Sequence, residues 1–142
     1  MTTSPETHRL FGWAFLIWAL PNSLIGLLLG LLLLPLGARL RVVDGVLEIA
    51  ALPRAPRRRW PFAAITFGHV IVGTHALELN RLRAHERVHV RQCERWGPLF
   101  LPAYLLAGAW QGLRGRRPYW DNPFEVEARQ GETPVIARGQ GS

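Results

Sequence analysis

Lysine is absent from this chain of 142 residues: all 17 of its basic side chains are arginine. Schiff-base chemistry on a lysine amine and a lysine-bearing phosphate loop are thereby excluded. Cysteine occurs once, at Cys93, which excludes a disulfide framework and a four-cysteine zinc module. Acidic residues are also scarce, 10 in all, leaving a net charge of +7. Hydrophobic residues make up 49%, too many for a disordered chain. A chain of this length holds one compact domain, or a small domain with a membrane segment, but not two full enzymatic domains.

Charge is missing altogether from residues 10 to 36, a run of 27 residues. As one helix it would be roughly 40 Å long, enough to cross a bilayer with some tilt. A secretory leader fits less well, because the preceding residues are nearly neutral and no small-residue cleavage site follows. Pro21, followed by Asn22 and Ser23, interrupts the run. Two arrangements fit that break: a single kinked span, which we favour, or a re-entrant hairpin broken at Pro21. Arg39 and Arg41, then Arg54, Arg57, Arg58 and Arg59, make the following flank much more basic than the preceding one. That asymmetry predicts a single-pass membrane protein with its C-terminal part in the cytoplasm. The 54–59 run suits a loop beside anionic lipid headgroups better than a nucleic-acid site, so no nucleic acid is expected as a partner.

Beyond the apolar run, β-branched and apolar residues flank Asp44 and Gly45, a strong hairpin signal. Prolines and arginines over 53–61 predict a loop, and 62–72 reads as one further strand. The apolar period turns helical from Ala76 to Trp96, where Gly97 and Pro98 supply a stop. A second apolar helix is expected over 98–113, packed on the core rather than the bilayer. A short helix should begin near Pro123, and the tail from Gly131 should be disordered. These elements divide the chain into a tail (1–9), a membrane segment (10–36), a domain (39–130) and a second tail (131–142).

Within the long helix, residues 85–89 read His-Glu-Arg-Val-His. The chance of such a match in a chain of this composition is about one per cent. Residues four apart stack one turn above another, so His85 and His89 can offer ring nitrogens to one metal ion. Glu86 sits beside them, where it can take a proton from a metal-bound water. On a helical wheel, Leu79, Leu82, His85, Glu86, His89, Cys93 and Trp96 share an arc of roughly 120°. Two imidazoles and a carboxylate thus fall on the face expected to be buried, a costly arrangement that a cation relieves. The plainer alternative is a pair of core histidines bonded to backbone, with Glu86 paired to an arginine. Cys93 reads as a small buried hydrophobe rather than a ligand.

A catalytic zinc takes three protein ligands and keeps one position open. Glu125 and Ala128 form a Glu-x-x-Ala stretch on the short helix near Pro123. HExxH followed by Glu-x-x-Ala on a later helix resembles the glutamate-ligand zincins, the gluzincin branch of zinc metallopeptidases, in minimal form over roughly residues 62–130. The resemblance implies an α+β fold: a small zincin-like domain with a short antiparallel sheet, the HExxH helix and following helices. It implies one zinc ion on His85, His89 and Glu125, with Glu86 as general base in hydrolysis of a peptide or protein substrate. Glu125 also sits at the capping-box position if Asn122 is the N-cap, and Glu127 is the reserve ligand. An edge strand above the site is expected to carry the substrate backbone, with Gly68, His69, Val70, Ile71 and Val72 the segment suited to it. Tyr119, His75 and Tyr104 are the candidate oxyanion donors. Two other functions fit the chain: a non-catalytic zinc-binding membrane protein, and a basic membrane module binding anionic lipid or nucleic acid through the 54–59 run.

Overall fold

The computed structural model describes residues 5–51 and 63–132, with side chains from Trp13 onward. Residues 52–62, which include the basic run Arg54, Arg57, Arg58 and Arg59 and the expected 53–61 loop, and the tail from residue 133 lie outside the described residues. The fold is mixed α+β. An apolar helix α1 (Pro5–Leu33) leads into β1 (Arg39–Val43), β2 (Val46–Ala50), β3 (Ala64–Phe67) and β4 (Val70–Gly73). Three helices follow: α2 (Ala76–Trp96), α3 (Phe100–Leu113) and α4 (Pro123–Gly131).

Asp44 and Gly45 close the β1–β2 hairpin with φ of 47° and 76°. Positive φ at both turn positions matches the right-handed twist of the flanking strands, as the Asp-Gly pair predicts. The expected antiparallel sheet is instead mixed. Strand order is β1-β2-β4-β3, with β2 and β4 parallel and the two outer pairings antiparallel. The single strand expected over 62–72 is itself a hairpin, β3 and β4, turned at Gly68 and His69 with Gly68 at φ 61°.

Side-chain alternation gives this sheet two buried faces. Val46, Ala50 and Ile71 meet Leu79 and Val90 of α2 on one side. On the other, Ile49, Val70 and Val72 pack with Leu29 and Leu33 of α1. α1 runs unbroken through Pro21, so the hairpin arrangement is not adopted. The stretch Trp13–Leu36 is long and apolar enough to cross a membrane. Yet α1 is no free stalk. A narrow stripe of Ala19, Asn22, Gly26 and Gly30 is buried, while most of its remaining circumference is exposed. The two glycines permit this contact: a Cβ on Gly26 would lie 2.7 Å from the Val70 Cβ, and one on Gly30 would clash with the Ile49 Cδ1.

α2 is tied to the sheet by a buried charge. Glu48 is almost wholly enclosed on β2 and accepts from Arg83 Nε at 2.7 Å and Arg41 Nε at 2.8 Å. Burial alone would raise its pKa; the two guanidinium groups outweigh that and hold it below the ordinary value. Its stabilising contribution is therefore complete above the ordinary carboxylate pKa and lost as pH falls through the lower folded-state value. Glu48→Gln should cost about 1–3 kcal/mol at neutral pH, and the gap from the parent should close in acid. Denaturant unfolding across pH measures both. Gly26→Val should cost about 1–3 kcal/mol by overpacking, whereas Leu28→Val, on the exposed side of α1, should stay within about 0.5 kcal/mol.

Candidate metal centre

α2 starts at Ala76 and stops at Gly97, whose φ of 55° ends the helix and whose N–H returns to the Cys93 carbonyl. One turn separates His85 from His89, and both rings are buried. α4 supplies the third group. Its first turn is capped by Asn122, whose Oδ1 accepts from Phe124 N at 3.1 Å. Asn122 Nδ2 also donates to the Tyr104 carbonyl at 3.0 Å, fixing α4 against α3. Ala128, fully buried one turn on, lets α4 lie close to its neighbours. Glu125 is thereby turned inward to the histidines. Glu127 faces elsewhere, accepting from Gln92 Nε2 at 2.8 Å and from Arg95.

The donor atoms converge. His85 Nε2 and His89 Nε2 are 3.2 Å apart, His85 Nε2 is 3.1 Å from Glu125 Oε2, and His89 Nε2 is 3.3 Å from Glu125 Oε1. Ligands at about 2.0–2.1 Å from a tetrahedral ion stand roughly 3.3–3.4 Å from one another. The two ring nitrogens stand at about that spacing, and each meets a different oxygen of the Glu125 carboxylate at a similar distance. His85, His89 and Glu125 thus form a buried group able to hold a metal ion.

Each ring is held from behind. Glu132 contacts His85 Nδ1, and an ionised carboxylate accepts only, so that nitrogen carries the proton. Gln92 Oε1 meets His89 Nδ1 at 2.8 Å, and Gln92 Nε2 donates to the Phe124 carbonyl at 3.0 Å and to Glu127. The amide orientation follows from this network, and the proton again falls on Nδ1. Both Nε2 lone pairs then point at one place, beside a carboxylate. Without a cation these lone pairs would oppose each other. Burial lowers both histidine pKa values, but bonds to Glu125, with Glu132 for His85 and Gln92 for His89, outweigh it and raise them. Glu125 shows the converse. Burial acts upward, and bonds from His85, His89 and Tyr104 hold its pKa well below the ordinary range. The Tyr104 hydroxyl donates to Glu125 Oε1 at 2.5 Å.

Glu86 lies on the same face, 4% exposed. Thr66 Oγ1 on β3 donates to its Oε2 at 2.7 Å. Burial pushes its pKa up, against the Thr66 bond and the nearby His89 and His85. A cavity of about 620 Å³ adjoins these groups, lined by Ala64, Ile65 and Thr66 of β3, by Phe100, Leu101 and Tyr104 of α3, and by Tyr119 and Trp120.

Several sequence expectations change here. Gly68 and His69 form a turn, with His69 paired to Glu94 at 2.9 Å, and Val70, Ile71 and Val72 belong to an inner strand paired on both sides. None of the five lines the cavity; the outer strand beside it is β3. The turn at Gly68 and His69 puts the edge one strand earlier, on β3. His75 stands at the N-cap of α2 and does not line the cavity, whereas Tyr104 and Tyr119 do. Tyr104 is engaged with Glu125. Tyr119 is half exposed, and burial beside Glu125 pushes its pKa up to about 12. Cys93 is fully buried, with a thiol pKa pushed up to about 12 by burial. Glu132, expected at the head of a disordered tail, follows α4 directly and reaches His85.

Sequence reasoning did not find Thr66, Gln92 or Glu132. Gln92 alone had a visible signal: it lies three residues beyond His89, within reach on the same helix face. Comparison with protein-family models, curated proteins and solved structures finds no match. Gln92→Leu should leave the helix intact but lower divalent-cation affinity by about 10–100-fold, read by competitive chelator titration.

Proposed function

We propose that this chain is a membrane-anchored zinc-dependent peptidase with a minimal zincin-like site. One observation carries the reading: three buried donors at tetrahedral spacing, with a buried carboxylate beside them and a cavity at the remaining side. A purely structural zinc site is closed by four protein ligands; here three donors adjoin open space. His85, His89 and Glu125 would hold the zinc ion, which would supply Lewis acidity and a water acidic enough to act as a nucleophile near neutral pH.

The chain's own groups do the rest. Glu86 accepts a proton from the attacking water and passes it to the departing amine; its raised pKa brings it closer to that task. Thr66 restrains Glu86 by holding Oε2, leaving Oε1 for the proton. Both cavity tyrosines interact with Glu125, but the Tyr104 hydroxyl is held on it at 2.5 Å whereas Tyr119 is half exposed, so Tyr119 is the donor better suited to the developing oxyanion. A peptide added along the outer edge of β3 would run beside these groups. The exposed apolar circumference of α1 supports anchoring in a lipid bilayer, and the basic flank at Arg39 and Arg41 supports a cytoplasmic side for the chain that follows, with the domain held against the membrane by the buried stripe of α1.

Purified protein should bind one equivalent of zinc, and His89→Ala or Glu125→Ala should abolish that stoichiometry in metal analysis. Glu86→Gln should retain zinc but lower peptide hydrolysis by about 10²–10⁴-fold. Undiminished hydrolysis in that variant would remove Glu86 from the mechanism. Protons compete with a cation for the nitrogens of His85 and His89, whose pKa values the bonds to Glu125 raise above the ordinary histidine value. Affinity should therefore fall as pH drops below those values and level off above them.

A further inference from the structure

α3 has two unlike faces. Its inner side carries Phe100, Gly108 and Gln111 into the fold, and with Leu101 and Tyr104 it forms one wall of the metal cavity. Its outer side is bare and apolar: Leu106 is 71%, Trp110 56% and Leu113 83% exposed, with Leu99 just before the helix also exposed. Spacings of seven and then three or four residues put these four on one stripe, and contiguous apolar surface of this kind marks an interaction site.

The start of α3 is fastened to α1. Asn22 Nδ2 donates to the Gly97 carbonyl at 2.7 Å, and Ala19 packs with Cys93 and Phe100. Ala19 and Asn22 lie in the first half of the apolar stretch Trp13–Leu36, well inside its ends. Whatever depth α1 takes in lipid, the first turn of α3 must follow. Exposed apolar surface also continues across the joint, from Trp18 on α1 to Trp96 and Leu99.

At its far end the stripe meets cations. Arg114 lies over the Trp110 ring, 5.2 Å from its centroid, and exposed Arg116 and Arg117 follow. Asp121 answers only Arg117 among these. An apolar face ending in a tryptophan and arginines matches a helix lying at the acyl–headgroup boundary of an anionic leaflet.

We propose that the outer face of α3 is a bilayer-docking surface, seated in lipid beside α1, so that one wall of the metal cavity is held at the membrane. The proposal rests on the membrane reading of α1 and is independent of catalysis. Its test is spin-label accessibility in the full chain reconstituted into vesicles containing anionic lipid. Single cysteines are introduced as Leu106→Cys and Leu113→Cys on α3, Leu28→Cys on α1, and Arg116→Cys as the aqueous reference. Cys93 is fully buried and stays in place.

Labels at 106 and 113 should collide with oxygen several-fold more, relative to a water-soluble nickel chelate, than the label at 116. They should resemble the label at 28. Chelate exposure at 106 and 113 equal to that at 116, with 28 still in lipid, overturns the proposal and spares the reading of α1. Chelate exposure at 28 as well overturns both. Closure of 106 and 113 to both reagents reveals a protein partner on this face and equally overturns the proposal. The two α3 positions are read independently, so failure of one variant to fold leaves the other decisive.

Discussion

Two imidazole nitrogens and a carboxylate, removed from water and held about one tetrahedron edge apart, are the constraint on which the structure turns. Burying such groups is unfavourable unless they satisfy one another or share a cation. α2 brings the histidines together by helical stacking alone. Glu125 arrives only because α4 is capped by Asn122, braced on α3, and allowed in close by Ala128. The sheet serves the same end: Glu48 anchors α2 through Arg83, and Thr66 holds Glu86 from the edge strand.

The parts legible in the sequence were those set by short-range geometry. Asp44 and Gly45 specify their hairpin because few residue pairs accept two positive φ angles in succession. The bounds of α2 follow from its apolar period and the stop at Gly97, and the pairing of His85 with His89 follows from helical pitch. Asn122 and Pro123 mark the start of α4 in the same way. Glu125 was ambiguous between cap and ligand, since both roles suit the third residue of a helix. The fold separates them by giving the cap to Asn122 alone.

Long-range relations were hidden. A parallel β2–β4 pairing joins strands that are not neighbours in sequence, and nothing local encodes it. Gly68 and His69 sit within a run of strand-forming residues, which hides their turn and with it the edge position of β3 beside the cavity. Thr66 and Glu132 become relevant only when β3 and the end of α4 meet α2. Gln92 is more instructive: a glutamine on a helix has no evident task until its amide is seen to join a histidine ring to the backbone of another helix.

The glycine-lined stripe of α1 bears on how the protein can be handled. An N-terminal anchor is customarily removed to obtain a soluble fragment, on the assumption that the remainder folds unaided. Here the excised helix would take with it Leu29 and Leu33, the cover over Ile49, Val70 and Val72. A fragment beginning at β1 would carry an uncovered hydrophobic sheet into water, trading one insoluble surface for another.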